Sequence, residues 1–132
     1  MTQLQLAQKE WESNSIPNTK LHPIGRGVIH EHEFRRYGQA IAWLKWDGDC
    51  IEIAKFETLC PGRGAAAKLV EFLKSLADKY KVTLFGHATA YQPDEPFPQG
   101  QLLSQKELED FYRKHGFRLR KISDEASEIL YP

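Results

Sequence analysis

Apolar residues recur along the chain with two periods, and the places where the period changes mark the elements. Leu4, Ala7 and Trp11 fall at helical spacing and predict a short helix over residues 4–12. The stretch SNSIPNTK, 13–20, is rich in turn residues and reads as a loop. Val28 and Ile29 suit a strand over Gly27 to Phe34. The charged run His30-Glu31-His32-Glu33 fits a sheet edge better than a sheet centre. Gly38 to Trp46 reads as a well-buried strand around Ile41 and Trp43, and Asp47-Gly48 is a type I′ hairpin signal. Cys50 to Thr58 is the return strand. Strict alternation puts Ile51 and Ile53 on one face, and Glu52 with Ala54, Phe56 and Thr58 on the other. The first half is thus expected to be an antiparallel meander.

The second half turns helical. Ala66, Leu69, Val70, Leu73, Leu76, Ala77 and Tyr80 form one apolar stripe, which predicts a helix over 63–80. VTLFGHATA, 82–90, reads as a strand. YQPDEPFPQGQLL, 91–103, holds three prolines and a glycine and reads as a long loop. Ser104 and Glu107 have capping-box spacing for a helix over Gln105 to His115, and Gly116 stops it as a C′ glycine. Two strands are expected to close the chain, at Phe117–Ile122 and Glu128–Tyr131.

Bulk properties narrow the function classes. A chain of 132 residues suffices for a single domain, 1–132, with one core. Its 18 basic and 18 acidic residues balance, so whole-chain charge gives no argument for nucleic acid or an anionic membrane. The polar start MTQLQLAQKEWES does not read as a secretory signal, and no apolar run reaches the roughly 20 residues of a membrane span. Cys50 and Cys60 lack metal-site spacing and are expected as free thiols in a reducing compartment. The expectation is a cytoplasmic domain.

The most informative stretch is Gly62-Arg63-Gly64-Ala65-Ala66-Ala67, between a strand and a helix. Small residues there let an anion approach main-chain N–H groups at the positive end of the helix dipole. A Walker loop would need Gly-Lys-Ser/Thr, and Lys68-Leu69 has neither the spacing nor the partner. The dinucleotide fingerprint G-x-G-x-x-G/A is matched literally by Gly62, Gly64 and Ala67. It follows a hairpin, however, and lacks a suitably placed acidic residue and further βαβ units. The glycines could also simply shape a tight turn before good helix formers.

A second phrase, Phe111-Tyr112-Arg113-Lys114-His115-Gly116-Phe117, adds to the first. Together, and in this order, the two phrases resemble those of the GNAT superfamily of acyl-CoA-dependent N-acetyltransferases. The resemblance covers Gly38 to about Leu130. Gly64 and Ala66 match the family's Q/R-x-x-G-x-G/A pyrophosphate loop, whereas Pro61 departs from its usual Gln or Arg. The late phrase matches the family's Tyr-x-x-x-Gly-Phe. The resemblance implies an α+β fold: a GNAT-like, mostly antiparallel central sheet with splayed parallel strands and flanking helices.

It also implies acetyl-CoA as acyl donor and transfer of its acetyl group to a primary amine, on a small molecule or a protein. The pyrophosphate would lie on Gly62, Arg63, Gly64, Ala65 and Ala66. The main chain of Phe56 would hold the thioester carbonyl, and that of Thr58 the pantetheine arm. Tyr112 would protonate the departing thiolate, and Glu52 would deprotonate the amine, directly or through water. Each has a plainer reading, Tyr112 as a core residue beside Phe111 and Glu52 as part of a solvated strand face. Glu57 is a weaker candidate base. His87 could face the cleft or the core. His30 and His32 share a face but lack further ligands, so no metal is expected. A catalytically inactive acyl-CoA-binding or protein-interaction module is the alternative. A nucleic-acid adaptor using Arg26, Arg35, Arg36, Trp43 and Trp46 is a third reading, opposed by the neutral net charge. Acceptor identity and oligomeric state, a dimer included, stay open.

Overall fold

The computed structural model describes residues 1–17, 34–58, 64–89 and 104–132. Helix α1 (Gln3–Asn14) reaches one residue before and two beyond the span that its apolar spacing predicts, and a capping box starts it. Thr2 Oγ1 accepts from the Gln5 N–H at 3.1 Å, and Gln5 Oε1 accepts from the Thr2 N–H at 2.8 Å. Arg35 closes the other end. Its Nη2 donates to the Glu12 and Ser15 carbonyls, and its Nε donates to Ser15 Oγ. A cation there meets the negative end of the dipole. The stretch expected as a loop after α1 instead supplies a two-residue strand, β1 (Ile16–Pro17), paired with β2 (Phe34–Tyr37). The strand expected from Gly27 lies, up to residue 33, outside the described residues.

Strands β3 (Ala40–Asp47) and β4 (Cys50–Thr58) form the expected hairpin. The turn differs in type. Gly48 has φ of 62°, whereas Asp49 does not have positive φ. A type I′ turn needs positive φ at both central residues, so the glycine-first II′ pattern fits instead. Helix α2 (Ala65–Tyr80) follows, then β5 (Thr83–Ala88), α3 (Gln105–Lys114), β6 (Arg118–Ser123) and β7 (Ala126–Tyr131). The predicted box on α3 is present, with Ser104 and Glu107 exchanging hydrogen bonds at 2.9 and 3.1 Å.

The result is a mixed α+β structure: a seven-stranded sheet in the order β1-β2-β3-β4-β5-β7-β6, with three helices. Every neighbouring pair is antiparallel except β4 and β5, which are parallel. That exception follows from chain order, since α2 serves as the crossover between them.

One face of the sheet carries the helices. Leu69, Val70, Leu73, Leu76 and Ala77 of α2 are buried with Ala40, Ala42, Leu44, Ile51, Ile53, Leu84 and Ile129 of the strands. Fully burying one leucine- or isoleucine-sized side chain is worth about 1.5–3 kcal/mol, so this stripe dominates the stability of the fold. On β7, Tyr131 hydrogen-bonds Asp78 of α2 and Ser127 hydrogen-bonds Glu109 of α3. Those two strand residues share a face, so α2 and α3 share it too. Helix α1 joins them through Trp11, stacked on Tyr37 and tilted against Phe72 with centroids 6.1 Å away in each case, and through Glu10, bound by Lys79 and Tyr80. Among the described residues, no helix packs on the opposite face. Also among them, no helix is long and apolar enough to cross a membrane.

Candidate functional site

The feature that sets up a site is a break in the middle of the sheet. Strands β4 and β5 pair at Cys50↔Thr83, Ile51↔Leu84, Glu52↔Phe85 and Ile53↔Gly86, and there the ladder stops. Both strands continue. β4 stays paired with β3 as far as Thr58↔Ala40, and β5 with β7 as far as Ala88↔Ser127. Among the described residues, the main chain of 54–58 therefore borders a gap on its β5 side instead of a ladder.

The cause is local. Trp43 pairs with Lys55 and Leu44 with Ile53, so Ala54 is an extra residue in β4, a β-bulge. A bulge bends its strand and increases its twist. It falls directly after the last β4–β5 pair. Opposite it, Gly86 allows the final close approach: a Cβ at that position would lie 3.0 Å from the Ile53 carbonyl oxygen. Gly86 and Ala54 were not singled out from sequence. A glycine inside a strand run does signal close backbone approach, and Gly86 could have been found that way.

The bulge also corrects the strict alternation expected for β4. Glu52 is in register with Lys45, whereas Phe56 and Thr58 are in register with Ala42 and Ala40. Ile51 and Ile53 are buried under α2, so Glu52, between them, lies half-buried on the helix-free face. Phe56 and Thr58 have the opposite parity. Glu57, in register with Ile41, has the parity of Glu52.

A helix follows each of the two parting strands in the chain, α2 after β4 and α3 after β5. α2 begins at Gly64, in the left-handed conformation with φ of 77° and no side-chain cap. No acidic residue occupies its first turn, and a Cβ on Gly64 would meet nothing within 4 Å. Ala65 is buried and Ala66 half-buried. Gly62 and Arg63 lie outside the described residues, as do Pro61 and Cys60; Cys50 is a free thiol. α3 is tied to the far side. Gln105 Nε2 donates to the Ala88 carbonyl at 2.8 Å, at the last residue of β5, and to Glu109 Oε2 at 2.9 Å. Ser127 Oγ and Lys121 Nζ donate to the same oxygen at 2.6 and 3.0 Å. These hydrogen bonds, that from Ser127 first, hold the Glu109 carboxyl down at about 2, although its burial acts the other way.

Tyr112, one turn further along α3, is 3% exposed. Its ring sits edge-on to Phe111 and Phe117, with centroids at 5.4 and 5.2 Å. It belongs to the helix-side cluster that also holds Ile53, Leu69 and Ala88. The two catalytic candidates thus occupy opposite faces of the sheet, Tyr112 beneath the helices and Glu52 on the other side. His87 is exposed on the face of Glu52, in register with Glu128. Arg35 is engaged with the end of α1, which removes it from the set of free cations that an adaptor would need. His30 to Glu33 lie outside the described residues.

The overall arrangement has a counterpart among solved structures. The chain is similar in fold to the anti-CRISPR protein AcrVA5. The crystal structure of that protein superposes with a TM-score of 0.53 at 17% identity, over 70% of this chain and 92% of the other. At that identity the likeness concerns the fold alone. No protein-family model matches the chain, and no curated protein matches it in sequence.

Proposed function

We propose that this protein is a GNAT-type N-acetyltransferase that moves an acetyl group from acetyl-CoA to a primary amine. The observation that carries the reading is the interrupted β4–β5 ladder, followed in the chain by the uncapped N-terminus of α2. An extended pantetheine arm can add to the main chain of residues 54–58 as a short β-like partner, including Phe56 and Thr58. A pyrophosphate can lie on the first-turn amides after Gly64, where small side chains and the absence of a carboxylate favour an anion. Gly62 and Arg63 extend that loop in sequence. The late phrase Phe111 to Phe117 supports the same reading.

The chemistry follows from what would border the gap. A thioester bound there would find β4 main-chain groups beside its carbonyl, with the N–H of Phe56 the expected donor to the oxyanion. Tyr112 lies on the helix side and is the expected acid toward the thiolate. Glu52 lies on the opposite face, from which an amine would approach, and is the expected base, directly or through one water.

The alternative is a GNAT-like acyl-CoA-binding or interaction module without turnover. The near-complete burial of Tyr112 in an aromatic cluster favours it, since such a ring also serves as plain core. Titration calorimetry with acetyl-CoA and, separately, NADH tests the shared premise. Heat with acetyl-CoA and none with NADH is expected. Gly64→Glu, which places a carboxylate at the helix mouth, is expected to abolish that binding, while Gly64→Asn, tolerant of left-handed backbone, keeps most of it. Absence of acetyl-CoA affinity at millimolar concentration would overturn both readings. Binding without acetyl transfer to any amine in a broad panel would leave the module.

A further inference from the structure

The sheet ends at β6, which pairs only with β7 among the described residues. An open edge strand presents unpaired main-chain groups to any extended chain of suitable side-chain character. The character of this edge is specific. The segment Arg113 to Ser123 contains Arg113, Lys114, Arg118, Arg120 and Lys121 and no acidic residue, in a chain of zero net charge. Every strand residue of β6 except Leu119 is exposed. Arg118 and Arg120 alternate onto the helix-free face, above a groove of about 390 Å³ floored by Phe85 and Leu130. Ile122, 53% exposed, adds an apolar contact at the end of the strand. Each nearby acid on a paired element takes one of these bases: Glu128 binds Arg120, Glu109 binds Lys121 and Asp110 binds Arg113, while Asp124 and Glu125 lie beyond the strand in the β6–β7 turn. Arg118 and Arg120 each commit one Nη2, to the Pro132 carbonyl and to Glu128, both at 2.6 Å, and both side chains stay exposed, so their other guanidinium donors face outward.

We propose that β6 is a docking edge for an extended acidic peptide segment, which adds to the sheet as an eighth strand. Its alternate carboxylates lie beside Arg118 and Arg120, and its apolar residues cover Leu119 and Ile122. A second copy of this chain is a poorer occupant. A two-fold antiparallel pairing centred on Leu119 sets Arg118 opposite Arg120 of the copy, and one centred on Arg120 sets that residue opposite itself. Like charges directly opposite one another destabilise a strand pair. The site is remote from the β4–β5 gap in strand order, with β5 and β7 between, so it does not depend on the proposed acetyl transfer.

The test uses a fluorescein-labelled eight-residue peptide alternating glutamate and valine, titrated by anisotropy with the full chain. Saturable binding is expected, together with slowed hydrogen exchange at the amides of Leu119 to Ile122. Replacing Arg118 and Arg120 together by Gln is expected to weaken binding roughly tenfold, while Lys at both positions largely retains it. The same peptide N-methylated at alternate residues keeps its charge but cannot form a strand, and is expected to bind at least about tenfold more weakly. Equal binding of the N-methylated peptide would overturn the proposal, because charge alone would then explain the affinity. So would tighter binding of a hexauridine RNA, absence of peptide binding, or self-association of the chain that protects the same amides. The N-methyl comparison uses the wild-type chain and stands even if the arginine variants fail to fold.

Discussion

Glu109 shows how one side chain fixes the geometry of the candidate site. Three donors from α3, β6 and β7 converge on its Oε2, and Gln105, one of them, also holds the end of β5. Its depressed carboxyl gives a signed expectation. The stabilisation is fully present above the ordinary carboxylate range near about 4.3 and is lost as pH falls through the folded value of about 2. Urea midpoints should therefore decline from about pH 4.5 downward, and more steeply in wild type than in Glu109→Gln. Glu10, Glu71, Glu107 and Glu128 are also held below their ordinary values, by partners led by Lys79, His115, Ser104 and Arg120. They titrate in the same window, so the difference between the two chains is what isolates Glu109. Parallel curves would refute its role. From sequence Glu109 was only a polar position on a helix, because its partners come from strands later in the chain. Tyr112 was legible through its phrase, but its burial was not. If it protonates the thiolate, Tyr112→Phe should lower kcat by roughly 10²–10⁴ and leave acetyl-CoA affinity nearly unchanged. An unchanged kcat, where chemistry limits the rate, assigns the ring to packing alone.

At the scale of elements, what could be read depended on whether the signal was local. The stripe of α2 and the capping box of α3 place those helices within two residues of where they lie, because spacing alone specifies them. The Thr2-x-x-Gln5 box is an equally local signal for the start of α1, whereas the end of that helix, Glu12 to Asn14, carries no apolar residue to mark it. The Ala54 bulge leaves no comparable trace, since the run Ile51 to Phe56 looks strand-like in either phase. It decides more of the site than any motif, by releasing β4 from β5 and separating the parity of Glu52 from that of Phe56. Gly86 is its counterpart. Gly86→Ala should force the Ile53 carbonyl away, cost about 1–3 kcal/mol in urea denaturation and weaken acetyl-CoA binding through the displaced gap. Full stability in that variant would mean that the strands have slack. Lys81 tests the other end of α2. It adopts φ of 55° in a Schellman-like stop, with the Val82 N–H donating to the Ala77 carbonyl at 3.1 Å. A lysine carries strain there that glycine lacks. Lys81→Gly should raise stability by about 0.5–1 kcal/mol after the glycine's greater unfolded-state entropy is counted.

Over the whole molecule, the sheet consists of two antiparallel groups joined by one short parallel seam. β1 to β4 lie on one side, and β5, β7 and β6 on the other. Four ladder pairs make the seam, and α2, packed across both groups, backs it from the helix side. A coenzyme lying in the gap would extend the seam by pairing with β4 while its phosphates rest on the start of α2. It would thus stabilise the junction where the sheet itself supplies least. This sets the size of the effect as well as its location. A ligand that binds only the folded chain adds RT ln(1 + [L]/Kd), about 2.7 kcal/mol at a hundred times Kd. For a chain of 132 residues that is a rise in Tm of roughly 10 °C, taking about 3–5 °C per kcal/mol between the scalings for smaller and larger domains. Acetyl-CoA should produce that rise, and NADH should not. Hydrogen exchange should slow at the amides of residues 54–58 and little at β1 or β6, which lie at the far edges of the sheet. A rise in Tm with uniform protection would place the ligand elsewhere, and protection centred on β6 would tie it to the basic edge instead of the gap.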